Sequence, residues 1–409
     1  MNSPRGTPPL GIGLVGAGGF AGFVAGAVAD VPDVRVVAVA DRDPSRATEL
    51  ASAVGARAAT RWEDLLVDPE VDVVAIMTPP SSHAPIATAA LDAGRHVWCE
   101  KPLATDATAA AGVSAAVERS GRVLVVDHVL RYNPLLLALV RLQGSLLGPL
   151  QRFSFENDAS DEDLVAGHWF WDEDTSGGIF VEHGVHFFDA AHLMAGTLPG
   201  TVQAMSAARP DGTVDLVSAT TRHPGGLLAG FTHGFTHAHR CERQQMRLDH
   251  GTAEVRVDGW IPVRAVLDAW TDDAGADVAE ALPQRAAELF AVGGYRLDED
   301  AAITVHVRRD AGPTTARGRG ERHVVPHHVR AELTLGGAEA KQRVYAESVR
   351  AAMVDLVRCV ATSARPRSGA REGWAAVVVA DAARRAAAAG TTLTLDPWPT
   401  ATERLARTA

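Results

Sequence analysis

The chain has 409 residues, 46% hydrophobic and 22% charged, with a net charge of -11. That composition excludes a disordered chain, and the length allows two domains with separate cores. The negative balance argues against nucleic acid as a partner, because phosphate is repelled unless one patch is strongly basic.

Only two of the 39 basic residues are lysine, Lys101 and Lys341, and the rest are arginine. GC-rich codon usage accounts for such a bias, and it makes each remaining lysine a candidate for chemistry that arginine cannot do. Cys99, Cys241 and Cys359 are too scattered for a disulfide framework or a CxxC zinc pair, so a reducing cytoplasm is expected.

Leu10 to Ala29 carries no charge and could be mistaken for a membrane or targeting segment, but seven of its twenty residues are glycine. It divides instead into a strand, Ile12 to Val15, a glycine turn, and a helix, Phe20 to Ala29. Further strands are predicted at Val34 to Ala40, Val71 to Met77, His96 to Cys99 and Val123 to Val126. Helices are predicted at Ser45 to Val54, Ser82 to Ala93 and Thr105 to Arg119. Apolar strands alternating with helices predict a doubly wound parallel sheet in an α/β fold, covered on both faces.

Beyond residue 128 the pattern changes. A helix is predicted at Leu135 to Leu142. Alternating runs follow at Leu150 to Glu156, Val202 to Ala207, Leu227 to His239, Met246 to Leu248 and Ala253 to Val257. They predict a large, open, mostly antiparallel sheet with one covered face. Helices at Ala346 to Val360 and Trp374 to Ala388 and a strand at Thr391 to Leu395 close the chain. The expected division is residues 1–128 and 129–409, with 265–340 a possible insertion and Arg308 to Arg322 a solvated loop.

The first strand runs into Gly16-Ala17-Gly18-Gly19-Phe20-Ala21, which fits G-x-G-x-x-G/A. Small residues there let the backbone and a helix N-terminus approach a pyrophosphate. The next strand ends in Asp41, where a carboxylate can accept a ribose 2′-hydroxyl and repel a 2′-phosphate, favouring NAD. Arg42 beside it could hold that phosphate, so NADP stays open. Thr78-Pro79 with His83, and Glu100-Lys101-Pro102, follow at later strand ends, where open α/β sheets bind ligands. Lys101 is placed where a titratable donor would meet a nicotinamide.

Glu182, His183, His186 and Asp189 concentrate ionisable groups beside glycines. If the segment is one helix, Glu182, His186 and Asp189 share a face. Histidine there can take and return a hydroxyl proton. His233, Phe235, His237 and His239 would share one strand face. A zinc site is the sharper reading of them, and a polar sheet face is preferred because no carboxylate has fixed spacing to them.

These motifs, in this order, together with Arg131-Tyr132-Asn133-Pro134 and Ser176-Gly177-Gly178, resemble the Gfo/Idh/MocA family of nicotinamide-dependent oxidoreductases. The resemblance implies an N-terminal Rossmann domain, a C-terminal α/β domain whose open sheet builds dimers or tetramers, and a substrate cleft between them for a sugar or cyclitol. By position it implies that Lys101 contacts the reacting hydroxyl and that His186 is the acid/base. Glu100 would lie near the nicotinamide ribose, Arg131 and Tyr132 would approach nicotinamide or substrate, and the Lys101-Pro102 peptide would be cis. The sequence departs from the family at Glu182, where aspartate is usual, and the extra methylene alters where the carboxylate sits. The expected activity is hydride transfer between NAD and a secondary carbinol. The alternatives are glycoside cleavage through transient oxidation and a non-catalytic dinucleotide sensor. His168, Trp169, Trp171 and His183 suggest a polyol pocket.

Overall fold

The computed structural model describes residues 8–337 and 339–395; the expected domain ends, 1–7 and 396–409, lie outside the described residues. The first six strands are β1 (Leu10–Val15), β2 (Val34–Ala40), β3 (Arg57–Ala59), β4 (Val73–Ile76), β5 (His96–Cys99) and β6 (Leu124–Val126). They form one parallel sheet in the order β3-β2-β1-β4-β5-β6. Helices α1 (Gly19–Val28), α2 (Pro44–Val54), α3 (Glu63–Val67), α4 (His83–Asp92) and α5 (Ala107–Ser120) connect the strands. Central strands are apolar at nearly every position because both faces are covered; Val73, Val74, Ala75 and Ile76 are each fully buried. The order reverses between β1 and β4, which opens a crevice at the carboxyl ends of those strands.

The chain leaves this sheet through α6 (Pro134–Leu142). Asn133 caps it: its buried Oδ1 accepts from the Leu135 and Leu136 N–H groups at 3.0 and 3.2 Å. Its Nδ2 donates to the Pro262 carbonyl at 2.9 Å, tying the helix start to the second sheet. Asn133→Ala removes a cap and leaves a buried carbonyl unpaired. It should cost about 2–4 kcal/mol of stability, read from urea denaturation at pH 8.

After α6, β7 (Arg152–Asp158) enters the second sheet, and α7 (Glu173–Ser176), α8 (Ile179–Glu182) and α9 (Val185–Ala195) follow it. Then come β8 (Thr201–Ala208), β9 (Val214–Arg222), β10 (Leu228–Gly234), β11 (Arg243–Asp249), β12 (Ala253–Asp258) and β13 (Arg264–Thr271). Two helices, α10 (Asp273–Glu280) and α11 (Ala286–Leu289), precede β14 (Ala302–Arg308), β15 (Thr315–Gly318), β16 (Glu321–Val324) and β17 (His327–Thr334). The chain then runs through α12 (Ala340–Thr362), α13 (Ala370–Ala389) and β18 (Leu393–Thr394). Ten strands join in the order β14-β17-β13-β12-β11-β7-β10-β9-β8-β18, antiparallel except for the β7–β10 pair.

Two expectations change here. The 265–340 stretch, expected as a possible insertion, carries β13, β14 and β17 of the large sheet, and Arg308 to Arg322, expected as a solvated loop, contains most of a β15–β16 hairpin. Glu332 of β17 pairs across to Arg264 of β13, Oε1 to Nε at 2.8 Å. The histidine strand also stops early. β10 ends at Gly234, whose carbonyl accepts from Ala159 N–H as the neighbouring ladder runs out. His233 is buried, while His237 and His239 lie beyond the strand and exposed. Among the described residues no group of three or more His, Cys, Asp or Glu is placed to hold a metal.

Leu10 to Ala29 forms β1 and α1, and among the described residues no helix is long and apolar enough to cross a membrane.

Candidate active site

A cleft of about 970 Å³ lies along the carboxyl ends of β1, β2, β4 and β5 and continues to Glu182, His183 and His186 of the α8–α9 segment. At one end is the glycine turn. Gly16 has φ +96°, and a Cβ there would stand 2.5 Å from the Met77 carbonyl oxygen. Gly18 and Gly19 face open space, and Gly19 begins α1. This is a cradle in which backbone meets ligand at the positive end of a helix, and it fits a dinucleotide pyrophosphate. Phe20 lines the cleft, whereas Ala21 is fully buried in α1 packing. Gly16→Ala should weaken NADH binding at least tenfold. Fluorescence titration measures this, with the thermal midpoint reporting on fold.

Asp41, at the end of β2, accepts the Ala17 N–H and the Asp43 N–H, each at 2.8 Å, one on each oxygen. Each carboxylate oxygen keeps a lone pair for a ribose hydroxyl. Arg42 and Arg46 line the same end of the cleft. Thr78 and Pro79 line it from β4, and Ser82 donates to Thr78 Oγ1 at 2.6 Å. His83 stands behind the wall, 1% exposed, with its ring nitrogens 2.7 Å from the Pro102 and Thr78 carbonyl oxygens. It ties the ends of β4 and β5 together and does not line the cleft.

Glu100 and Lys101 follow β5, and the Lys101-Pro102 peptide is cis. Glu100 lines the cleft; its buried Oε1 meets no N–H donor among the described residues, and its carboxyl lies against that of Asp127. Burial, and then the neighbouring Asp127 charge, push its pKa well above the usual carboxylate range; burial also pushes Asp127 up to about 7. Lys101 Nζ donates to Glu182 Oε1 at 2.8 Å and to the Glu182 backbone oxygen at 3.0 Å. Both side chains are 12% exposed, so the pair is largely sheltered from water.

The segment carrying Glu182 and His186 is two helices rather than one. α8 ends at Glu182 and α9 begins at Val185. At the break a Cβ on Gly184 would lie 2.4 Å from the Phe180 carbonyl, so only glycine fits there without a shift. Glu182 and His186 nevertheless reach the same cleft. Asp189 does not. It is fully buried and accepts Arg131 Nε at 2.8 Å on both oxygens. Arg131 therefore braces α9 from behind and is absent from the cleft wall. Tyr132 is also turned away, 1% exposed, its hydroxyl donating to Asp355 at 3.0 Å.

His186 is 3% exposed, and its Nδ1 has no partner among the described residues. Burial first, then the Lys101 charge, hold its pKa well below the ordinary histidine value. It is neutral and able to take a proton. The same causes push His183 down to about 3.

Sequence reading missed Trp260 and Tyr345, which complete the wall. Trp260 sits 5.4 Å from the His186 ring and 5.2 Å from Tyr345. Tyr345 comes from α12 and also meets Phe23 of α1 at 4.9 Å. The scarcity of tyrosine, three in the chain, was the one available signal for it. Of the proposed polyol residues, Trp169 and His183 line the cleft; Trp171 instead donates from its indole to the Leu164 carbonyl.

Comparison with known proteins matches residues 10–128 to the oxidoreductase family with an NAD-binding Rossmann fold, and residues 142–254 to the GFO/IDH/MocA C-terminal domain. The chain is 30% identical over 239 residues to dTDP-3,4-didehydro-2,6-dideoxy-alpha-D-glucose 3-reductase of Saccharopolyspora spinosa, covering 57% of this chain and 70% of that protein. It is 32% identical over 226 residues to D-xylose 1-dehydrogenase (NADP(+)) 2 of Haloferax volcanii, covering 53% and 68%. Levoglucosan dehydrogenase, solved with NADH and L-sorbose, shares the fold with a TM-score of 0.73 at 19% identity, over 95% of this chain and all of that one. The chain belongs to the Gfo/Idh/MocA family of oxidoreductases.

Proposed function

We propose that the protein is a dehydrogenase or ketoreductase that moves hydride between NAD and a secondary carbinol carbon of a sugar, sugar derivative or cyclitol. The observation that carries this reading is one continuous cleft holding the glycine turn, the Lys101–Glu182 ion pair and neutral His186. The bound nicotinamide supplies the hydride acceptor. Gly16, Gly18 and Gly19 would hold its pyrophosphate, Asp41 the adenosine ribose and Glu100 the nicotinamide ribose. A Glu100 carboxyl held protonated by burial can donate as well as accept there.

The protein's own groups handle the proton. Two of the three Lys101 donors are engaged by Glu182, which leaves one for the substrate oxygen. That hydrogen bond polarises the hydroxyl and favours the oxyanion as it forms. His186 takes the hydroxyl proton, and in reduction returns it. Glu182 orients Lys101 through a side-chain and a backbone contact, a role that its longer side chain still reaches. Trp260, beside His186, offers an apolar face for a sugar ring.

The test is a panel of cyclitols, aldoses, nucleotide sugars and glycosides with NAD and NADP, following absorbance of the reduced cofactor. The expected result is turnover of at least one of them, faster with NAD than with NADP. No reduced cofactor from any of them would overturn the reading. The Asp41 carboxylate supports the NAD preference, and Asp41→Ser should shift it toward NADP.

A further inference from the structure

A second cavity, of about 260 Å³, shares no lining residue with the dinucleotide cleft. Its walls are Tyr132, Gly293, Val354 and Asp355, with Arg358, Arg365 and Arg367 around them. The carboxylate of Asp355 is fully occupied. Oδ2 accepts the Tyr132 hydroxyl at 3.0 Å and the Arg367 backbone N–H at 2.8 Å, and Oδ1 accepts Arg358 Nη2 at 2.6 Å. Arg365 is held from outside by Glu372 at 2.9 Å.

Arg367 has no carboxylate. Among the described residues its guanidinium meets only the face of Tyr132, 6.0 Å from the ring centroid. Arg141, anchored to the Ala291 carbonyl at 2.8 Å, lies close enough to Arg367 to feel its charge. Three guanidiniums thus line one small cavity with two carboxylates, those of Asp355 and Glu372, between them. This excess is local, and it is repulsive unless an anion enters.

We infer that this cavity binds a small, multiply charged oxyanion, either a phosphate monoester or a short polycarboxylate. Guanidinium forks match oxyanions two oxygens at a time, which a lysine cluster would not. The free donors of Arg367 and the unengaged nitrogens of Arg358 and Arg365 would be available to such an anion. Tyr132 and Val354 give an apolar side for a few carbon atoms. The volume is several times the roughly 30 Å³ of a liquid water, enough for such a molecule and too little for a nucleotide. The inference stands apart from the hydride-transfer reading and needs no turnover to test.

The experiment is calorimetric titration of the full chain with inorganic phosphate and, separately, with citrate, at constant ionic strength. Wild type, Arg367→Gln, Arg365→Gln and Arg42→Gln are compared. Arg42 lines the cleft and controls for anions bound at the dinucleotide site. The expected result is one site per chain for at least one anion, weakened at least tenfold by Arg367→Gln or Arg365→Gln and unchanged by Arg42→Gln. The two anions tell phosphate chemistry from carboxylate chemistry. No binding of either anion overturns the inference, as does binding that survives both cavity variants or is lost in Arg42→Gln.

Discussion

Lys101→Met is expected to lower turnover by roughly 10³-fold while leaving NADH affinity within a factor of about three of wild type. The geometry explains both halves. Lys101 stands at the junction of cofactor and substrate space, held by Glu182 at 2.8 Å, and none of the glycine-turn contacts depends on it. Methionine keeps the length of the stem and removes the donor that polarises the reacting oxygen. Lys101→Arg should fail almost as badly. A planar fork cannot occupy a position bounded by the Glu182 carboxylate and backbone oxygen without displacing one of them. Glu182→Gln should cost less, because the backbone contact to Lys101 survives. A double-mutant cycle of Lys101→Met with Glu182→Gln should be strongly non-additive, since the second change acts through the first. Reduced-cofactor absorbance under saturating substrate gives turnover, and fluorescence titration gives NADH affinity. Turnover of Lys101→Met close to wild type would remove Lys101 from the mechanism.

The parts of this molecule that sequence made legible are those where one physical requirement acts alone. Strands buried on both faces have to be apolar, so β1, β2, β4, β5 and β6 stand out. β3, Arg57-Ala58-Ala59, sits at a sheet edge with little to bury and leaves no such trace. β14 and β17 were hidden for a related reason. Their solvent faces carry Arg, His and Glu that pair across strands, and in one dimension such residues look like loop. In the site, the motif spacing located Lys101, Glu182 and His186. Spacing could not tell which way a side chain turns, so Arg131 and Tyr132, sitting inside a motif, were expected at the ligand. They brace Asp189 and Asp355 instead. Trp260 comes from the turn after β12 and Tyr345 from α12, which packs against α1, and only the tertiary fold brings the two rings together at the wall.

Acid should progressively destabilise the ligand-free protein as pH falls below about 6.5. His83, His128, His186, His192, His223, His233 and His250 are all 5% exposed or less. Burial is the first cause holding each below the ordinary histidine value, with His223 brought to about 4. The unfolded chain protonates these residues near pH 6.5 and the folded one does not. Below that pH the unfolded state therefore binds more protons, and stability falls as pH falls. Glu100 and Asp127 act in the opposite sense. Their folded pKa values are raised, so they add stability as pH drops from about 7 toward the unfolded carboxylate range. The histidines held neutral by burial outnumber the two carboxyls, so unfolding takes up protons on balance and stability falls as pH falls. Urea midpoints at pH 8, 7, 6 and 5 measure it directly. They should be flat between 8 and 7 and drop steeply from 6 to 5. His233→Phe is the control: the ring lies among Phe155 and Phe187, at 5.5 and 5.1 Å, so an apolar aromatic suits the site. That variant should lose one proton from the slope, and a urea midpoint that does not move between pH 7 and 5 would show that these histidines are not what the fold keeps neutral.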